Sequence, residues 1–522
     1  MNTCFRPASL ILLIVALLAA DGVLYRLTGN IELSGWTGTV VRNWNQFGIR
    51  ALKGKAVTNP GGFEALSKPE IYKGHRAASM YPVFAVDELF LWTGDGLLCF
   101  NLFFNLVLFL AIWHLLGRGQ TATLIAASAL LCPGCTVYPA HVDPNAISLY
   151  MVVPFAAFLL PLMADTTFSS WRAAIVFCLT FAYTSLNWTT LFGHGILFAY
   201  FFSARNVPRR NLIIYTVFAG VSIALIAGVS VLDKIGYGSG SGEKTSLIRF
   251  LGGYTWAPWG YGTGMGTGKA LVRLLAANLM GLLPLILAGG YLLVKQRKLM
   301  NFAYGGLVAL PFVMAVLGVA AMRNYFGHHP WMAAPMLFPG LILSLALLPR
   351  QKSNADLQKM PAPTVPRRIP SALFLMACFA YAVVVLGAYR AYHSEPLALL
   401  SLLRLHTDRS DTIFVIKSLD PQMADQAGSI EVSADRRVRV LDNLTDWQNS
   451  SNRAFVLSAA GVEGKLPLLA RSEKTDMLSW PIVRELTAAY AKYIARRRPE
   501  DKHFDYAAGE TFGLYRLNSG SN

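Results

Sequence analysis

The sequence predicts a polytopic α-helical membrane protein of about 11 transmembrane helices, with a C-terminal soluble α/β domain at residues 390–522. Three observations carry this reading. Of 522 residues, 54% are apolar and only 14% charged, at a mean hydropathy of +0.43, whereas soluble domains carry about 25% charged residues. Apolar stretches of 16–24 residues recur from residue 8 to residue 389, each near the roughly 20 residues that cross a bilayer. Charge also divides the chain: residues 1–389 hold 28 Lys and Arg against 12 Asp and Glu, and residues 390–522 hold 18 against 17. This composition excludes disordered, collagen-like and small disulfide-framed chains. Basicity confined to the apolar part points to lipid phosphate and topology before nucleic acid.

The expected spans are 8–27, 99–117, 121–139, 144–164, 171–186, 189–204, 211–231, 271–294, 301–322, 331–349 and 371–389. With a cytoplasmic N-terminus, the inner segments carry fourteen basic residues, Arg6, Arg118, Arg209 and Lys295 among them, against Asp165 and Asp356. The short outer turns at 140–143, 187–188 and 323–330 carry Arg323 alone, as the positive-inside rule demands. The stretch 80–93 contains Asp87 and Glu88 and has the length of an interfacial or re-entrant helix. Counting it as a span would turn thirteen of those basic residues outward. Residues 1–27 lack a small-x-small cleavage site followed by a polar start, which favours an uncleaved anchor. The expected location is the inner (plasma) membrane, with the C-terminal domain extracytoplasmic.

Three outer regions follow: a loop at 28–80, a Gly-rich loop at 232–270 and the tail. In the tail, β-rich runs at 412–416, 437–441 and 454–457 precede a helical stretch at 480–497 and a strand at 512–517, the pattern of a small α/β domain. All six cysteines lie in or beside apolar spans. Cys132-Pro133-Gly134-Cys135 has redox spacing but no βαβ surroundings, so packed thiols are favoured over a local disulfide.

Ionisable groups at membrane depth are costly, which makes each a functional candidate. Asp21 lies 15 residues after Arg6, roughly 22 Å along a helix and hence in the outer leaflet. Glu32 opens the first outer loop. Asp143, before Pro144, is either a helix N-cap or a functional acid. A second set is basic and aromatic: Lys73, His75 and Arg76 near the end of the loop, and Arg323, Tyr325 and His328 in a late outer turn. At the headgroup level these either hold a phosphate or act as interface anchors. The Gly-rich loop has eleven glycines between Gly236 and Gly268, interleaved with Tyr254, Trp256, Trp259 and Tyr261. It reads as a substrate lid whose aromatic faces stack on sugar, or as an exposed connector. Gly264 to Lys269 is not a Walker loop, because Thr263 and Ala270 occupy required positions.

In order, these features resemble a known family. Glu32…Trp36…Arg42-Asn43-Trp44, then Tyr72…His75…Tyr81-Pro82, then Asp143-Pro144-Asn145 and Arg323…Tyr325…Pro330 are similar to the GT-C fold membrane glycosyltransferases that use polyprenyl-phosphate sugars. That family includes the protein O-mannosyltransferase-like and lipid A aminoarabinose transferase-like branches. The resemblance covers most of residues 1–389. It implies a GT-C-like catalytic domain over 1–389 that transfers a sugar to an acceptor hydroxyl at the outer face with inversion. It also implies an acidic base and cationic groups for the departing phosphate. The family opens its loop with Asp, often Asp-Glu, where this chain has Glu32-Leu33, and His75-Arg76-Ala77 replaces the frequent His-Pro-Pro. Glu32 is then the expected base, with Asp21 the alternative.

No cofactor is expected. A divalent metal occurs in some relatives, but no ligand set supports one here. The expected partners are a polyprenyl-phosphate-linked sugar, a glycan, lipid or protein acceptor, and membrane lipid, with no nucleic acid. A transporter or flippase of a lipid-linked or anionic solute, or an inactive relative that only binds, are the alternatives. Neither the internal repeats nor the paired broken helices of transporters are evident.

Overall fold

The computed structural model describes residues 7–28, 34–71, 80–90, 96–135, 144–166, 169–187, 189–204, 206–236, 267–296, 302–321, 333–348, 368–392, 394–425, 427–446, 453–459, 466–472, 482, 484–487 and 511–517. In chain order the helices are α1 (Pro7–Thr28), α2 (Ser34–Phe47), α3 (Tyr81–Leu89), α4 (Gly96–Leu115), α5 (Gln120–Leu130), α6 (Pro144–Tyr150), α7 (Val152–Met163), α8 (Ser170–Leu186), α9 (Thr190–Ser203), α10 (Arg209–Gly236), α11 (Thr267–Gln296), α12 (Phe302–Ala321), α13 (Ala333–Leu347), α14 (Arg368–Tyr392), α15 (Ser394–His406), α16 (Pro421–Asp425) and α17 (Ala427–Ala434). The chain separates into two compact units.

The first unit comprises Met1–Leu24, Asn101–Pro139 and Pro144–Ala382. Helix occurs within every expected span. Among the described residues, length and composition qualify six windows to cross a membrane: Ala8–Leu27, Leu98–Leu115, Ala146–Met163, Arg209–Gly228, Ala276–Val294 and Ser371–Ala388. Four further apolar helices among the described residues are shorter. Expected span 121–139 is one of them: α5 stops at Leu130 because Pro133 and Gly134 follow. Span 144–164 divides at Met151, since Pro154 cannot donate to the Tyr150 carbonyl. α10 and α11 also run further than expected into the Gly-rich region.

Outward apolar side chains such as Leu12 (70% exposed) and Met376 (67%) have the lipid-facing character of spans. Inward, small residues let helices close up: a Cβ at Gly340 in α13 would lie 2.7 Å from Ala315 Cβ and 2.9 Å from the Pro311 carbonyl of α12. Buried polar groups pair across helices. His194 bonds Thr184 and Tyr215, each at 2.8 Å, and the Tyr183 hydroxyl donates to the Ser148 carbonyl. None of the described cysteines is in a disulfide, and Cys132 and Cys135 are both buried.

The second unit comprises Tyr25–Phe100, Ala140–Asp143 and Val383–Asn522, so the first loop and the tail fold together. The tail has β1 (Thr412–Ile416), β2 (Arg437–Leu441), β3 (Ala454–Ser458), β4 (Leu468–Arg471) and β5 (Gly513–Leu517). Their order is β2-β1-β3-β5-β4, with β1 parallel to β2 and β3, and β5 antiparallel to β3 and β4. Alternation sends Ile413, Val415, Phe455 and Leu457 towards Leu399, Leu403, Met423 and Ile430 of α15–α17. Phe414, Ile416, Val456 and Tyr515 pack on the opposite face. The four expected strands are present. β4, too short to show alternation, was not expected, and of the expected helix at 480–497 the described residues 482 and 484–487 are helical.

Candidate functional site

Of the residues singled out from the sequence as catalytic or binding, Asp21 lies within the described structure. Glu32, Lys73, His75, Arg76, Asp143, Tyr254, Trp256, Trp259, Tyr261, Arg323, Tyr325 and His328 lie outside the described residues. The described residues nearest to some of them in sequence are α2 after Glu32, the body of the first loop before Lys73, and α6 after Asp143.

Asp21 is fully buried in the apolar α1. Asn101 and Asn105, one turn apart on α4 and so on one face, both donate to its Oδ2, at 2.9 and 2.7 Å. Asp21 Oδ1 and the Oδ1 atoms of both asparagines are buried without a hydrogen-bond partner. Sequence reading missed the two asparagines, although polar residues at i and i+4 within an otherwise apolar span were the available signal.

The body of the loop is braced by its own core. Val40 and Trp44 of α2 are buried with Leu52, Val57, Ala65 and Met80. Trp44 donates its indole N–H to the Lys55 carbonyl at 2.8 Å and stacks on Tyr81 of α3 at 5.3 Å between ring centroids. Asn43 donates to the carbonyls of Val57 and Asn59, at 3.0 and 3.1 Å. Asn45 reaches Asp87 of α3 at 2.6 Å. The stretch 80–93 therefore contains a nine-residue helix, too short to cross a membrane, packed on α2. Glu32 precedes α2 by two positions in the sequence.

A charged tie joins loop to tail. Arg42 Nε lies 2.5 Å and Arg409 Nε 2.9 Å from Asp435 Oδ2, while Asp435 Oδ1 accepts from the Gly61 N–H at 2.8 Å. Gly61 has φ 63°, and a Cβ there would lie 2.5 Å from the Arg409 carbonyl, so glycine is required. Arg409 also donates to Gln46 and Asn43, at 2.7 and 2.8 Å. Burial alone would push the Asp435 carboxyl up; Arg42, Arg409 and the Gly61 N–H outweigh it and hold the group below the usual carboxylate range. Arg404 is pushed down to about 10 by burial and by Arg42 and Arg436, and stays charged at neutral pH. Because this contact unites the two segments, loop and tail must lie on one face of a bilayer.

α6 starts at Pro144, as expected for a proline at the first helical position after Asp143.

No family model and no curated protein sequence matches the chain. Among solved structures, it is similar to ArnT from Cupriavidus metallidurans in the apo state, with a TM-score of 0.50, 14% identity and coverage of 90% of this chain and 97% of that one. It is similar also to ArnT from the same organism bound to undecaprenyl phosphate, with a TM-score of 0.51, 13% identity and 98% coverage of both chains. The chain therefore shares the fold of these two structures over nearly its whole length.

Proposed function

We propose that this protein transfers a sugar from a polyprenyl-phosphate donor to an acceptor hydroxyl at the membrane face where the first loop and the tail fold together. The observation that carries the reading is the end-to-end likeness to a structure holding undecaprenyl phosphate, which extends through both spans and tail. The order of acidic and cationic residues in the sequence supports it independently. That likeness supports a polyprenyl phosphate as the donor's lipid.

In the proposed step, Glu32 removes the proton from the acceptor hydroxyl as that oxygen attacks the anomeric carbon. The bond from that carbon to the phosphate oxygen breaks, its electron pair stays on phosphate, and the sugar inverts. Charge growing on phosphate requires fixed cations, for which Arg323, His75 and Lys73 are proposed, with Arg76, Tyr325 and His328 beside them. Asp143 is a second acid at the site, and Trp256, Trp259, Tyr254 and Tyr261 offer ring faces to sugar or acceptor. The braced α2 supplies a rigid element directly after Glu32, as precise positioning of a base demands.

The outer face is assigned to this site from the charge asymmetry of the spans. Mass spectrometry of cell-envelope glycans, with and without the gene, tests the function. Loss of one sugar modification and its restoration by the wild-type gene but not by Glu32→Gln is expected. An unchanged glycan profile, with the protein present in wild-type membranes, contradicts it.

A further inference from the structure

Asp21 lies seven residues before the end of α1 at Thr28, about 10 Å below it, and Asn101 and Asn105 lie five and nine residues into α4. All three are within 1% of complete burial. Both asparagines spend an N–H on the same oxygen, leaving three acceptor oxygens with no donor. Among the described residues no Lys, Arg or His pairs with Asp21. A buried acceptor left bare keeps its full desolvation cost, and an unpaired carboxylate at membrane depth costs more still.

We propose that Asp21 is held as the neutral carboxylic acid and in that form clasps α1 to α4. One proton repairs two of the three orphans. On Asp21 Oδ1 it makes an O–H that donates to the Oδ1 of one asparagine, while Oδ2 accepts from that asparagine's Nδ2. The two hydrogen bonds close an acid–amide ring. The second asparagine keeps its own donation to Oδ2.

α1 and α4 are the helices that lead into and out of residues 29–95, the segment bearing Glu32, Lys73 and His75. Fixing them to each other fixes both stems of that segment. Asp21 is thus a positioning residue for the reaction proposed above, on which this consequence rests, and not its base. A side chain closed off at 0% exposure has no opening for an acceptor hydroxyl.

The test uses the purified full-length protein and its Asp21→Asn and Asp21→Leu variants. Infrared difference spectra of wild type against Asp21→Asn are expected to contain the C=O stretch of a protonated carboxylic acid, lost in the variant. Asn can form the same two-bond ring, so Asp21→Asn is expected to melt within about 2 °C of wild type and to retain transfer within about threefold. Asp21→Leu is expected to melt lower and lose at least tenfold. A carboxylate band instead of the acid band overturns the proposal. So does stabilisation by sodium over choline at equal ionic strength that disappears in Asp21→Asn, because the orphans would then hold a cation. So does a well-folded Asp21→Asn that is inactive, because Asp21 would then be the base. Spectrum and melting need no substrate. If no variant transfers sugar yet the acid band and the Asn rescue of melting are present, the clasp stands and the proposed function falls.

Discussion

Arg42 and Asp435, 393 residues apart in sequence, meet at 2.5 Å, and this contact together with Arg409 makes the first loop and the tail one folded unit. Asp435 is 1% exposed at its side chain, whereas Arg42 keeps 35%. The tie is therefore intermediate between a buried and a surface ion pair.

Replacing Asp435 with Ala would strip Arg42 and Arg409 of their carboxylate and leave the Gly61 N–H without its acceptor, while Arg409 kept Gln46 and Asn43. A fully buried pair broken on one side costs about 3–5 kcal/mol; with Arg42 partly in water, a loss of about 2–3 is expected. Thermal unfolding of the purified protein measures it. The folded carboxyl titrates below its unfolded value, so its stabilisation is complete above the ordinary Asp range near pH 4. It is lost as pH falls through the lower folded value. Wild type is expected to lose stability over that acidic window, and Asp435→Asn to lack this component.

Asn43 uses every polar group of its amide, donating to Val57 and Asn59 and accepting from Arg409. Asn43→Leu is expected to cost about 1–3 kcal/mol through stranded partners. Limited proteolysis within residues 48–71 should accelerate in the variant. An unchanged cleavage rate would mean that the loop is held by its apolar core alone.

The architecture was legible where physics is local. Apolar length found helix within each expected span, β-rich runs found β1, β2, β3 and β5, and the short stretch with acids at 80–93 contains the nine-residue α3. What could not be read was long-range pairing. Nothing in the residues around 435 announces that Asp435 closes on Arg42, because a charge pair across hundreds of residues leaves no periodicity. Asn101 and Asn105 did leave a local signal, but their meaning depends on Asp21 facing them. The breaks at Leu130 and Met151 interrupt spans expected to be continuous, and follow from Pro133 and Pro154.

Arg439 is exposed on the edge strand β2 and reports the face on which loop and tail lie. A cysteine there, in a background without the native cysteines, is expected to react with an impermeant thiol reagent in intact cells or spheroplasts. Labelling only after lysis would place the unit on the cytoplasmic face.

For Arg323 the proposed role in holding the departing phosphate separates two substitutions. Arg323→Lys should be impaired because a point charge cannot reproduce a two-pronged guanidinium. Arg323→Ala should raise the barrier by roughly 2–4 kcal/mol, as for one lost oxyanion donor. A headgroup anchor would tolerate Lys, since both side chains reach the interface. Transfer rates in folded variants at saturating donor decide between them.

The central claim is that the lipid-phosphate-to-sugar bond is broken by this chain, with Glu32 as base. Purified protein in proteoliposomes, supplied with polyprenyl-phosphate-linked sugars and envelope acceptors, allows the released polyprenyl phosphate and glycosylated acceptor to be counted. Equal amounts of both with wild type, and at least a hundredfold less with Glu32→Gln at unchanged melting temperature, is the expected result. Donor that crosses the bilayer with its sugar still attached, at equal rates in wild type and Glu32→Gln, would contradict it and identify a carrier instead.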